Sequence, residues 1–387
     1  MAKRVAIVAA AQTKYEQSKE NLSYEELVWE VVEKVTQDAG LTWADRITNG
    51  FGIDSIVSCS EDYWDARVIC QFAIQRELGA HGMPETKVCA DGANAVYLAA
   101  IQILSGRYDV VLVVSHRKES VTMRSIIENC GLDPIYMRPL GLDYAVAAAM
   151  QARRYMFKYG INEEQCAKVV VKNRKNGKNN PFAQLHSEIA IEDVLNSQVL
   201  AEPIKALDVK PISDGACALI LASEEKARKV TAKPVWIKGI GNCYDLHYLG
   251  DRDLADCNSL EFAAKQAYSM AGITNPKKDI DVAEIFDEYS YQELLWAEGF
   301  GFCDRGKGGD MIDRDATEIG GEIPMNPSGG LLSGVPSGVA GMARVAEGFL
   351  QLRNEAGARQ VGGARTALTH GVTGSCGQAH CVIILGN

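Results

Sequence analysis

The sequence predicts an α/β protein built from two related halves, and three observations predict it. Stretches with helical apolar spacing alternate with short apolar runs along the whole chain. An amphipathic helix at 23–37, closed by Ala39-Gly40-Leu41 and followed by a strand at 53–57, has a counterpart downstream. There a helix at 259–270 closes at Ala271-Gly272-Ile273 and is followed by a strand at 282–286. Each half also ends alike, on a glycine-rich turn and an apolar strand: DGACALILAS at 214–223 and GSCGQAHCVIILG at 374–386.

Taken in order, the opening MAKRVAIVAAAQTKY sets Lys3 and Arg4 before an apolar run that stops at Gln12, Thr13 and Lys14. That run is too short for a secretion signal and reads as a first strand. The helix at 23–37 opens on a capping box, Ser23 with Glu26. A strand at 85–90 passes into a helix, Gly92–Leu104, that Gly106 ends. Between the strands at 110–114 and 214–223 lies an insertion, about 118–200, with helical spacing over Tyr144–Tyr159 and a basic stretch at 168–178. From 118 to 178 eleven Lys and Arg stand against six Asp and Glu, in a chain of net charge −10. That excess reads either as a solvated helix face or as a landing surface for an anionic cofactor. The polar stretch 229–234 divides the chain into 1–233 and 234–387. In the second half NPSGGLLSGVPSGVAG, 326–341, runs into a helix at 340–350 and fits neither a P-loop nor a dinucleotide fingerprint. The irregular region 299–341 suits a site-forming loop better than a linker.

Composition narrows the function classes. With 387 residues, 47% hydrophobic and 23% charged, the chain has the make-up of a soluble globular protein. Its acidity argues against general nucleic-acid binding. No run approaches the roughly 20 apolar residues of a membrane span. Eleven cysteines scattered through apolar stretches, without a CxxC pair, read as small core residues in a reducing compartment, and the cytoplasm is the expected location. Cys376, His380 and Cys381 are close in sequence, but Cys381 opens an apolar strand, so no metal site is expected. His116, His186 and His247 carry no motif.

One cysteine stands apart. Cys89 sits at the joint between the strand at 85–90 and the helix Gly92–Leu104. A thiol at a helix N-terminus is pulled toward thiolate, and the free N–H groups there can receive an oxyanion. Ala90, Gly92, Ala93 and Ala95 leave room for a substrate.

Over essentially its whole length the chain resembles the thiolase superfamily. VCADG at 88–92 resembles the nucleophile motif, SGRYDVVLVVS, NPFAQ and PISDGACALILAS follow the family, and LTHGVTGSCGQ at 368–378 is similar to its C-terminal glycine loop. The resemblance is to the sterol-carrier-type branch. It implies a five-layered α/β/α/β/α fold, coenzyme A as a substrate, a homodimer, and in some members a small zinc-ribbon/OB-fold subunit. It makes Cys89 the acyl carrier, with oxyanion stabilisation from its own N–H and an amide near Gly374. It also makes Arg153, Arg154, Lys172 and Arg174 of the insertion the phosphate candidates.

Three departures bear on the chemistry. The family's Gly-His-Pro histidine is Val335 here, and the polar residue opening its Asn/His motif is Phe286 in EIFDEY. A second catalytic cysteine aligns at His370 or Gly371, with Cys376 a few residues beyond. Proton handling is therefore expected from His370, in a loop facing Cys89, from Glu288, or from Cys376. The apolar replacements suit a bulky or aromatic acyl group, such as that of benzoylsuccinyl-CoA. The leading expectation is a thiolase cleaving a 3-oxoacyl-CoA through acyl-Cys89. The alternatives are a retro-aldolase acting on a β-hydroxyacyl-CoA through Asp287 and Tyr289, and a non-catalytic acyl-CoA-binding scaffold.

Overall fold

The computed structural model describes residues 4–40, 52–65 and 69–387; Lys3 and Leu41 lie outside them. Nine strands form one mixed sheet: β1 Val5–Gln12, β2 Ser55–Cys59, β3 Glu85–Val88, β4 Val110–Lys118, β5 Asp214–Ser223, β6 Val235–Tyr244, β7 Val282–Glu284, β8 Thr366–Thr373 and β9 Ala379–Gly386. Their order is β3-β2-β4-β5-β1-β6-β9-β8-β7. Outward from the centre each half repeats one scheme: two antiparallel pairings, then a parallel one. The halves meet where β1 pairs antiparallel with β6 over three residues, Val5–Ile7. In the second half the counterpart of β3 shrinks to a single parallel bridge between Ala283 and Met325.

Helix α1, Tyr24–Asp38, begins where the capping box places it: Glu26 N–H donates to Ser23 Oγ at 3.2 Å and Ser23 N–H to Glu26 at 2.7 Å. Its buried Leu27, Val28, Val31, Val32 and Val35 follow the 3.6-residue period and cover the outer face of β1, β4 and β5. In the second half α6, Asn258–Ala271, covers β6 and β9. Between the halves lie α2, Gly92–Leu104, and α8, Ser337–Arg353, which touch each other and strands from both halves. Alanines at 93, 95, 99 and 100 keep α2 thin enough to be buried on several sides. The stack α1, strands, α2 with α8, strands, α6 is the five-layered α/β/α/β/α arrangement. The longest helices in the stretch between β4 and β5 are α3 Arg124–Cys130, α4 Tyr144–Tyr159 and α5 Glu163–Gly177. Helix α7, Ser290–Gly299, packs on α5. Among the described residues no helix is long and apolar enough to cross a membrane.

Several boundaries differ from expectation. The strand expected at 53–57 forms at Ser55–Cys59. The strand expected to run to Ala90 stops at Val88, because its partner β2 ends where Cys59 pairs with Val88. Helix α8 starts at Ser337 rather than 340, with Pro336 as its N-cap.

Candidate active site

A narrow cleft of about 60 Å³ opens where the β3–α2 joint, the end of β8, the start of α8 and the helices α3 and α4 converge. Ala90 and Asp91 form part of its wall, together with Ser337 and Gly338 of α8 and Val372, Thr373 and Gly374. Tyr63, Trp64, Tyr144 and Phe286 give it aromatic character, and Glu61, Arg117, Glu128 and Glu288 give it charge.

Cys89 is exposed on the chain that leads into this wall. Enough protein surrounds its sulfur for desolvation to raise the thiol above its ordinary range, and Glu61 and Asp62 add to the rise while Lys87 and Arg117 oppose it. It does not open α2, as the sequence suggested. The N-cap is Asp91, whose Oδ1 accepts the Ala93 N–H at 2.9 Å.

Asp91 also ties the halves together. Its Oδ2 accepts the N–H of Gly341 in α8 at 2.9 Å, and its own N–H donates to Thr373 Oγ1 at 3.0 Å. A Cβ at Gly341 would stand 1.8 Å from Asp91 Oδ1, and one at Gly371 2.0 Å from it, so both positions leave space that the carboxylate fills. Burial pushes Asp91 up to about 7 against the pull of its N–H donors and Arg117.

The other charges of the cleft are paired. Arg117 is bonded to Glu61. Arg124 reaches Glu128 with Nε at 2.5 Å and Glu288 with Nη2 at 2.9 Å, and Ser337 Oγ adds a bond to Glu288 at 3.2 Å. Burial, with the charge of Glu288, pushes Glu128 up to about 7 against Arg124. The start of α8 is fixed below by Glu119, which accepts the Ser337 N–H and is buried against Lys210.

Glu288 and Gly374 are on the cleft wall, Gly374 with a left-handed φ of 81°. His370 is not in a facing loop. It lies within β8, where successive side chains alternate sides, so Gly371 turns toward Asp91 and His370 turns into the second-half core. There it accepts the Phe286 N–H at 3.4 Å, shares a hydrogen bond with His380 at 2.9 Å and meets Trp296 and Phe300 edge-on. Burial holds it well below the usual histidine range. Cys376 is also buried away from the wall. Its thiol donates to Ala147 O at 3.2 Å and burial pushes it up to about 12.

The basic residues divide in two. Arg153 and Arg154 line an open groove of about 960 Å³ along α4, with Met150 and Phe157, and pair with Glu202 and Asp253. Lys172 is buried, pairing with Glu293 at 2.8 Å and donating to Met325 O at 2.7 Å, so it is no phosphate contact. Arg174 is buried too, with its guanidinium lowered by desolvation, and lies on neither the cleft nor the groove. Both were read as exposed because α5 is polar in composition, whereas the fold packs it against α7.

Asp287 and Tyr289 alternate with Phe286 and Glu288 and point inward. Asp287 accepts the Leu331 N–H at 2.6 Å and the Asn173 amide at 2.7 Å, which fixes the glycine-rich loop ahead of α8. Val335 is buried in the central core. Among the described residues no cluster of His, Cys, Asp and Glu could hold a metal ion. Sequence reasoning missed Asp91, Glu61, Arg117, Arg124, Glu128 and Tyr144. Asp91 had a visible signal, an Asp-Gly pair before a helix, and Arg124–Glu128 had i,i+4 spacing.

Comparison with known proteins sets this geometry in a family. Residues 5–225 match the model described as "Thiolase, N-terminal domain", and residues 242–387 match "Thiolase C-terminal domain-like". An acetyl-CoA acetyltransferase of Methanothermobacter thermautotrophicus is 35% identical over 382 residues, 97% of each chain. The benzoylsuccinyl-CoA thiolase subunit BbsB of Thauera aromatica is 32% identical over 298 residues, 74% of this chain and 75% of that one. Among solved structures, the "Ltp2-ChsH2(DUF35) aldolase" superposes with a TM-score of 0.84 at 28% identity, covering 99% of this chain and 97% of that one.

Proposed function

The chain belongs to the thiolase family, and on that footing we propose that it is a CoA-dependent acyltransferase that cleaves a 3-oxoacyl-CoA through an acyl-Cys89 intermediate. The observation that carries this reading is the position of Cys89: the next two residues, Ala90 and Asp91, are cleft wall, together with Gly374 and the start of α8. In the reaction the Cys89 sulfur attacks the ketone carbon. The bond between that carbon and the α-carbon breaks, leaving the acyl group on sulfur and the electron pair on the departing CoA ester. Coenzyme A then attacks the thioester and releases Cys89. The N–H of Cys89 and an amide near Gly374 are the assigned oxyanion donors.

An aromatic or bulky acyl group is the proposed substrate class, of the kind carried by benzoylsuccinyl-CoA. Tyr63, Trp64, Tyr144 and Phe286 on the wall support it, as does the likeness to BbsB. The nucleotide end of CoA is assigned to the groove along α4. Ten residues of helix, about 15 Å, separate Tyr144 in the cleft from Arg154, and the exposed pairs of Arg153 and Arg154 exchange readily for phosphate. A homodimer is supported by β3, an outer strand of the sheet. A small zinc-ribbon/OB-fold subunit is supported by the likeness to the Ltp2-ChsH2 aldolase, whose second named component is a DUF35 protein.

Cleavage of a β-hydroxyacyl-CoA is the second reading, favoured by the overall likeness to that aldolase. The inward orientation of Asp287 and Tyr289 weighs against it. Intact mass spectrometry separates the two. Protein with and without the small subunit is incubated with benzoylsuccinyl-CoA, acetoacetyl-CoA or a β-hydroxyacyl-CoA, before and after CoA is added. An adduct on Cys89 that CoA removes supports the thiolase reading. Cleavage of a β-hydroxyacyl-CoA without an adduct overturns it.

A further inference from the structure

Asp91 is the buried acid nearest in sequence to Cys89, and it forms part of the cleft wall. It is 3% exposed yet lines the wall. Each of its oxygens accepts one backbone N–H, from Ala93 in the first half and from Gly341 in the second. A carboxyl group has acceptor capacity beyond those two bonds, and when protonated it keeps both and gains an O–H donor. The space it occupies exists because residues 341 and 371 are glycines; a Cβ at either would lie within 2.0 Å of Oδ1. No side chain at 371, one of the two positions at which a second cysteine aligns, could coexist with Asp91 in this position. His370, Cys376 and Val335 are turned into the core, and Glu61, Glu128 and Glu288 on the wall are held by Arg117 and Arg124, which leaves Asp91 as the wall acid bonded to backbone N–H groups rather than to a cation.

We propose that Asp91 is a further catalytic residue of this site, the acid that protonates the α-carbon of the departing CoA ester and the base that then takes the proton of the incoming CoA thiol. This rests on the reading of Cys89 as the acyl carrier. When the carbon–carbon bond breaks, its electron pair remains on the α-carbon. That carbon takes the Asp91 proton, giving a neutral CoA ester, acyl-Cys89 and the Asp91 carboxylate. The CoA thiol passes its proton to the carboxylate as its sulfur bonds to the acyl carbon, and Cys89 leaves with the electron pair of the broken thioester. One proton goes out and one returns, so the cycle needs no further reactant. A group held near 7 by burial suits both directions.

The test measures the two kinds of chemistry separately in Asp91→Asn and Asp91→Ser, the second of which keeps a cap acceptor for α2. Exchange of the α-protons of acetyl-CoA and succinyl-CoA is followed by NMR in deuterated water, and alkylation of Cys89 by iodoacetamide and its acylation by benzoyl-CoA are followed by intact mass. In both variants exchange is expected to fall by about 10², and acylation by benzoyl-CoA to slow with it because that step runs the proposed thiol proton transfer in reverse, while alkylation stays within a few-fold of wild type. Exchange that persists in the variants overturns the proposal. So does a parallel loss of exchange and alkylation, which would mark Asp91 as a cap alone. Loss of exchange with no acyl adduct on Cys89 in any protein, wild type included, would sink the acyl-Cys89 reading while keeping Asp91 as the acid.

Discussion

Glu128 and Glu288 share one guanidinium: Arg124 donates to the first through Nε at 2.5 Å and to the second through Nη2 at 2.9 Å. Burial first, and the neighbouring charge of Glu288 with it, push Glu128 up to about 7 against the pull of Arg124. An acid with a folded pKa above its unfolded value of about 4.3 binds more protons when folded between those two pH values. Its stabilising contribution is complete below the lower value and is lost as pH rises through the upper one. Glu128→Gln is therefore expected to gain stability relative to wild type, by about 1 to 3 kcal/mol, as pH moves from about 5.5 to about 8. Urea melts at both pH values measure it, and a difference that does not change with pH contradicts the placement of Glu128.

The fork geometry of Arg124 makes a second expectation. Lysine offers a point charge and cannot reach both carboxylates along separate N–H vectors. Arg124→Lys is expected to keep the fold but to lower kcat at least tenfold, since about 1.4 kcal/mol of lost positioning suffices. Arg124→Ala is expected to destabilise by about 3 kcal/mol, the cost of leaving buried carboxylates unpaired. Steady-state rates beside melting curves separate the two effects.

Much of the scaffold was legible because its signals are local. Gly92–Leu104 and Tyr144–Tyr159 can be set to the residue: an aspartate N-cap opens each, Asp91 and Asp143, and Gly160 closes the second. The capping box of Ser23 and Glu26 worked the same way. The cleft was far less legible, since its bonds join positions remote in sequence: Asp91 to Gly341, Arg124 to Glu288, Ser337 to Glu119. His370 was misplaced for another reason. The glycines after it suggested a loop, but β8 pairs with β9 through Thr373, and strand alternation then turns His370 inward. Lys172 was misplaced because a buried ion pair has no signature in composition.

The contact between Asp91 and Gly371 gives a paired expectation. Gly371→Ala puts a methyl 2.0 Å from Asp91 Oδ1 and 2.6 Å from Ala93 Cβ, where α2 leaves no room. It is expected to destabilise by about 1 to 3 kcal/mol. Asp91→Gly in the same chain removes the obstructing carboxylate, so the double variant is expected to be more stable than additivity allows. A double-mutant cycle in denaturant measures the coupling. Strict additivity would show that the two residues do not touch.

His370 and His380 form a buried pair without a carboxylate partner among the described residues, and burial holds His370 well below the usual range and His380 at about 3. Groups that are less basic folded than unfolded bind more protons in the unfolded chain. Their contribution is therefore present above the unfolded value of about 6.5 and is lost as pH falls below it. His370→Gln is expected to flatten this acid-side loss. Melting temperatures between about pH 7 and pH 5 check it.

Cys89 and Glu61 make the last case. Glu61 raises the Cys89 thiol, and it also engages Arg117, which acts in the opposite direction. Glu61→Gln removes the first influence and frees the second, so both changes favour the thiolate. Iodoacetamide labelling of Cys89 near neutral pH is expected to become several-fold faster in Glu61→Gln, with the pH midpoint of labelling moved down. Cys376 serves as the internal reference: it is buried, pushed up to about 12 and bonded to Ala147, so its labelling should stay slow in both proteins. Equal acceleration at both cysteines would mean that the substitution loosens the fold. Acceleration at Cys89 alone would establish that the carboxylate of Glu61 restrains the sulfur assigned to carry the acyl group.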